Sequence, residues 1–341
     1  MNIKIAGILV AAAFLTLACL CCPTNINPIG NPQVTAPPKP TIDPAANPMF
    51  DELIPLCVKN LEQVLEEGES DITPSRGPQP DREYTLVTYA VNGDVITDPV
   101  YASIPNNLSD YQQDTVAQEK IWNFITWVVP ADQRTMVTDF VLYTDGTGES
   151  LGAVEQSDSP NYWMFEMDLI DGDDFPDLVT TVIHEFAHLL TLSHSQVTTD
   201  YPVFEDPDDQ LIYDREAAIC PNYFTLEGCS KADSYLNTFF NRFWPDISVE
   251  WQAIDAEPDQ DLLDQRLSRL YQEHSNQFVS EYAVTSPSED IAETFMFFII
   301  SPKPSGTTIA DQKILFFYDF PELVAMRENI LSNLCTYVDY P

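Results

Sequence analysis

Residues 174–192 read Asp-Phe-Pro-Asp-Leu-Val-Thr-Thr-Val-Ile-His-Glu-Phe-Ala-His-Leu-Leu-Thr-Leu. Asp174 followed by Pro176 and Asp177 is a helix-start pattern, and the apolar residues beyond it predict a helix over 177–192. Within that helix, His184-Glu185-Phe186-Ala187-His188 sets two imidazoles at i and i+4 on one face, about 5–6 Å apart. Imidazole nitrogens so spaced suit a shared zinc ion. Glu185, beside the first of them, is placed to take a proton from a water whose pKa the ion lowers to about 7. The competing reading is a chance pentapeptide on a core helix. Against it, the helix is well signalled, a strand is expected just upstream, and two of the chain's 4 His residues lie here.

Two imidazoles do not complete a catalytic zinc site, which takes three protein ligands and an open position. One candidate for the third is His194, six residues after His188, the ligand spacing of the metzincins. That geometry needs the helix to break after His188, and position 191 is Thr, a poor residue for positive φ. If the helix runs on through Leu192, His194 is rotated about 240° from His188. The other candidate lies in Tyr282-Ala-Val-Thr-Ser-Pro-Ser-Glu-Asp-Ile-Ala-Glu-Thr-Phe295. Ser288 reads as an N-cap, so Glu289 and Glu293 fall one turn apart at the start of a helix. Carboxylates on an otherwise apolar helix (Ile291, Ala292, Phe295, Met296) are costly to bury without a cation.

At these two segments the chain resembles the gluzincin metallopeptidases, in particular the anthrax lethal factor-like and other bacterial zinc-binding metallopeptidases. In those a Tyr precedes the ligand Glu by seven residues and a second Glu follows by four, as Tyr282, Glu289, Ala292 and Glu293 do here. The resemblance implies that Glu289 is the third ligand and that Glu293 orients a ligating His. It also implies that Tyr282 stabilises the oxyanion of the reaction. It covers 184–188 and 282–295 only. Ala187 stands where relatives often carry Gly. The interval from His188 to Glu289 is longer than in lethal factor or thermolysin-like enzymes, which implies an insertion at about 200–275, and the fold implied is a zincin-like, two-lobed α+β domain.

The rest of the chain narrows the setting. With 15 basic and 54 acidic residues among 341, a net charge of −39, it lacks the basic face that a nucleic-acid partner requires. At 44% hydrophobic and 11% aromatic it is too apolar for a disordered acidic polymer. Residues 1–22 open with Lys4 and an apolar run, the layout of a secretory signal. Leu15-Thr-Leu-Ala-Cys19 resembles a lipoprotein cleavage box, with Thr16 where Leu is usual. The expected forms are a lipoprotein, a secreted protein or an uncleaved anchor, all of them extracytoplasmic. Residues 23–49 carry Pro at 23, 28, 32, 37, 38, 40, 44 and 48 and read as an extended tether. The domain is then 50–341, with Cys57, Cys220, Cys229 and Cys335. In an exported domain these suggest two disulfides, Cys220–Cys229 and Cys57–Cys335, over four free thiols.

Within the domain a hairpin is expected at 84–91 and 95–101 around Asn92-Gly93. A helix follows at 114–129, then strands at 135–143 and 161–169, the active-site helix, and a mainly helical second half at 232–243, 262–279, 289–300, 307–317 and 320–335. The sheet is expected to be small and mixed. Strand 161–169 is expected at its edge, where an extended substrate would pair. The Asp-rich turn 171–177 reads as a solvated helix start in preference to a calcium loop. The chemistry expected is hydrolysis of a peptide or protein substrate by a zinc-activated water, with Glu185 as base. A metzincin-like peptidase using His194, a zinc-binding surface lipoprotein without activity, and a hydrolase of non-peptide amides are the alternatives.

Overall fold

The computed structural model describes residues 80–146 and 150–339. The expected signal sequence, the tether and Cys57 lie outside them. The described chain is a mixed α+β structure with small sheets and more helix than strand. No helix in it is long and apolar enough to cross a membrane.

The chain begins with the hairpin of β1 (Tyr84–Asn92) and β2 (Val95–Tyr101). Asn92 pairs with Val95, so Gly93 and Asp94 form the two-residue turn, with Gly93 at φ 65°. A short helix α1 (Ser109–Gln113) precedes α2 (Thr115–Val128), whose Asp114 side chain accepts from the Ala117 N–H. Ile121, Phe124, Ile125 and Val128 recur at helical spacing and bury one face of α2. Strands β3 (Val137–Thr144), β4 (Gly152–Gln156) and β5 (Trp163–Asp168) then complete a five-stranded sheet in the order β2-β1-β3-β5-β4. Only β3 and β5 run parallel.

This order corrects one expectation. The strand read from Asn161 to Leu169 is not an edge: β5 lies between β3 and β4, and β4 closes the sheet on that side. Gly152-Ala-Val-Glu-Gln156 is short, starts with Gly and carries one β-branched residue, so local propensity does not signal it. Its glycine is required by packing. A Cβ on Gly152 would stand 2.7 Å from the Thr181 Cγ2 of the next helix.

That helix, α3 (Phe175–Leu192), is capped by Asp174, with Pro176 in its first turn. It carries the paired imidazoles and packs with α2 on the sheet face formed by Phe140, Leu142, Phe165 and Met167. Beyond it, β6 (Val197–Thr199), β8 (Gly228–Ser230) and β7 (Phe224–Thr225) make a small antiparallel sheet, with α4 (Tyr201–Glu205) and α5 (Gln210–Ala217) between β6 and β7. Cys220–Cys229 is a disulfide with a Cα–Cα distance of 5.6 Å. Cys335 is also disulfide-bonded, and its expected partner Cys57 falls outside the described residues.

Helices α6 (Tyr235–Phe243), α7 (Ser248–Asp255), α8 (Gln260–Glu273), α9 (Pro287–Ile300), α10 (Ile309–Phe316) and α11 (Pro321–Asp339) form the rest. Helix α8 stops at Glu273, short of the expected 279, where His274, Ser275 and Asn276 have weak helix propensity. The N-cap of α9 is Ser286 and not Ser288: the Ser286 hydroxyl accepts from the Glu289 N–H, and Pro287 takes the first helical position. Proline is preset for that position, which moves the cap two residues upstream. Helix α9 is buried over most of its surface and lies along α3, with Phe186 and Phe295 edge to face at 6.0 Å. This helix–helix contact fixes how the two halves of the site face each other.

Candidate metal centre

Three donor atoms from α3 and α9 converge. His184 Nε2 lies 3.1 Å from His188 Nε2 and 2.9 Å from Glu289 Oε2, and His188 Nε2 lies 3.3 Å from the same oxygen. Ligand atoms at zinc bond lengths of about 2.0–2.1 Å in a tetrahedron are separated by about 3.3 Å. The triangle therefore has the size a single zinc ion requires, and its two imidazoles and one carboxylate are the donor types zinc takes.

The surroundings orient these donors. His184 Nδ1 is 2.8 Å from Glu293 Oε1, and the other Glu293 oxygen accepts from the Ser280 hydroxyl at 2.6 Å. With Nδ1–H donating to Glu293, the Nε2 lone pair of His184 is left facing His188 and Glu289. Glu289 and Glu293 are one turn apart on α9, so one helix supplies both the third donor and the group that fixes a first. Ser280 was not singled out in the sequence, and it is held by the Ala283 N–H.

The pocket favours positive charge. Burial alone would lower the His184 pKa, but its hydrogen bonds to Glu289 and Glu293 raise it well above the ordinary value. His188 is likewise raised, chiefly by Glu289 against burial. Glu289 is pushed up by burial and, more strongly, down by the two imidazoles, ending well below the carboxylate range. A divalent cation satisfies the same field without protonating the imidazoles.

Glu185 is 5% exposed and lies beside the Val154 N–H of edge strand β4, which favours its charged form. Burial raises its pKa above the ordinary carboxylate value. Tyr282 sits in a turn before α9, its ring 5.7 Å from that of His184 and its side chain beside Glu289.

His194 is not brought in. Thr191 stays helical, its hydroxyl bonding the Ala187 carbonyl at 2.8 Å, and α3 ends only at Leu192. His194 is exposed beyond it and takes no part in the His184, His188, Glu289 group, which corrects the metzincin-like alternative.

The chain matches no protein-family model, no curated protein and no solved structure. A second group, Asp145, Asp168 and Asp171, has carboxylate oxygens within 4.8 Å of one another. Asp168 in it accepts from the N–H groups of Asp145, Ile170 and Asp171, which is the work of a turn. Asp174 caps α3, so the Asp-rich segment is a helix start.

Proposed function

We propose that the chain is an extracytoplasmic zinc-dependent metallopeptidase of the gluzincin type, with a zincin-like domain whose sheet and helical parts flank the site. The single observation that carries this reading is the convergence of His184, His188 and Glu289 beside a buried carboxylate, Glu185, that belongs to none of the three donors. Zinc held by those residues would acidify a water and polarise a carbonyl. Glu185 would take the proton of the attacking water and pass it to the leaving amine. Tyr282 would donate its hydroxyl hydrogen to the developing oxyanion, leaving its contact with Glu289 to do so. Glu293 would keep His184 in the ligating tautomer.

The peptide or protein substrate would pair in extended form along β4, not β5. The Val154 N–H lies beside Glu185, so a substrate strand paired on β4 would present its scissile carbonyl next to the base. The Cys220–Cys229 disulfide fits an oxidising compartment, in keeping with a lipoprotein or secreted form tethered by residues 1–49.

Metal analysis of the purified protein tests this. Zinc is expected at one per chain. Glu289→Ala is expected to weaken zinc by more than the ~10–100-fold typical of losing an orienting partner, and His194→Ala to leave it unchanged. Full zinc retention by Glu289→Ala would overturn the ligand set. Zinc retained by a wild-type protein that cleaves nothing in a broad peptide library would favour a zinc-binding surface lipoprotein instead.

A further inference from the structure

Ser280 stands two residues before Tyr282, in the connection from α8 to α9, and the proposed chemistry gives it no part. Its side chain is 5% exposed. A hydroxyl has one proton to give and two lone pairs to receive with. The Ser280 proton goes to Glu293 Oε2 at 2.6 Å, and its oxygen accepts from the Ala283 N–H at 3.1 Å. A plain turn cap would need only the second of these bonds. The first reaches across to α9, to a carboxylate that is itself 3% exposed.

Each bond leads to a different part of the site. With Oε2 of Glu293 taken by Ser280, Oε1 faces the Nδ1 of His184 at 2.8 Å. The carboxylate is thus held by one donor on each oxygen and cannot turn without losing them. On the other side, the Ala283 N–H belongs to the peptide unit that follows Tyr282. The carbonyl of that same unit accepts from the Thr285 N–H at 3.0 Å and from the Thr285 hydroxyl at 2.8 Å. Clamped at both ends, this peptide plane fixes the direction in which the Tyr282 side chain leaves the turn, its ring 5.7 Å from that of His184. Hydrogen bonds buried in this way lose little to competition from water.

We propose that Ser280 is a positioning residue that ties two parts of the site together. Through Glu293 it sets the tautomer and ring orientation of His184, and through the Ala283 N–H it sets the placement of Tyr282. The part concerning Tyr282 rests on the metallopeptidase reading above, whereas the part concerning Glu293 needs only the metal. Ser280 touches neither metal donor nor substrate. Removing its hydroxyl is nevertheless expected to weaken zinc and transition-state stabilisation together, each through a named intermediary.

The test is a pair of double-mutant cycles on the full chain. The first reads the Kd of zinc, by competition with a chelator, for the wild type, Ser280→Ala, Glu293→Ala and the double variant. Ser280→Ala is expected to weaken zinc by about tenfold, the low end for an orienting partner. In the Glu293→Ala background the same change should cost less than about twofold. The second cycle reads kcat and KM at saturating zinc for the wild type, Ser280→Ala, Tyr282→Phe and their combination. Ser280→Ala should lower kcat by about tenfold with little change in KM, and should lower it no further in the Tyr282→Phe background. Ser280→Cys fills nearly the same space with a weak donor and should behave as Ser280→Ala does. Wild-type zinc affinity and kcat in Ser280→Cys would make the residue a space filler and overturn the proposal. Additive losses in either cycle overturn it as well, because a loosened fold acts without passing through Glu293 or Tyr282. If the wild type binds zinc and cleaves nothing, the peptidase reading fails and the zinc cycle alone decides: coupling to Glu293 upholds the positioning of His184, and additivity ends it.

Discussion

Glu185→Gln is expected to keep zinc and to lower kcat/KM on the best library peptide by on the order of 10²–10⁴-fold, the usual worth of a positioned general base. The substitution is nearly isosteric. The side chain is 5% exposed, and an amide oxygen can face the neighbouring Val154 N–H as well as a carboxylate does. The packing of β4 on α3 therefore survives, and what disappears is the capacity to bind a proton. Because Glu185 is no part of the donor triangle, the metal content and the thermal midpoint should match the wild-type values. This separates loss of chemistry from loss of the site. Cleavage within tenfold of wild type by a zinc-loaded Glu185→Gln protein would remove Glu185 as the base and with it the proposed mechanism.

The parts of this arrangement that sequence made legible are those whose signals are local. Helices α2 and α3 carry caps, Asp114 and Asp174, directly ahead of residues with helical apolar spacing, and both begin within two residues of expectation. The imidazole pair is legible because i and i+4 define a face once the helix is granted. Edge and interior position in a sheet is a property of pairing, not of a segment. Trp163–Asp168 is apolar enough for either place, and β4, which decides between them, is five residues long with little β propensity. The Ser286 and Ser288 caps differ only through Pro287. Ser280 gains its meaning from its hydrogen bond to Glu293 across the turn before α9. No local pattern distinguishes it from an ordinary surface residue.

The same limit hid the Asp290–Lys313 pair, where a large stability effect is expected. Both side chains are 0% exposed. Lys313 Nζ donates to Asp290 Oδ2, and the indole N–H of Trp244 donates to the same oxygen at 2.8 Å. Burial pushes Asp290 up to about 6 in spite of these donors and lowers the Lys313 pKa, so each ion is tolerated only because the other is there. Lys313 also lies 4.1 Å from the centre of the Phe278 ring, with Trp244 and Phe239 around it, an enclosure that offers no water to a lone ammonium. Asp290→Ala leaves that ammonium and the Trp244 N–H without an acceptor and should cost about 3–5 kcal/mol in urea unfolding. Lys313→Met, which strands a carboxylate that keeps the Trp244 donor, should cost less than Asp290→Ala. The double variant Asp290→Leu/Lys313→Met should be closer to wild type than Asp290→Ala alone, since no charge is left buried. Asp290 follows Glu289 directly on α9, and Lys313 ties that turn to α10. Loss of the pair frees the turn that aims the third donor, so Asp290→Ala is also expected to weaken zinc binding under conditions where the protein remains folded. A cost below about 1 kcal/mol for Asp290→Ala would show that the ammonium finds water or another acceptor. The rotation of α9 would then have to be fixed by its other contacts, among them Phe186 on Phe295 and Glu293 on His184.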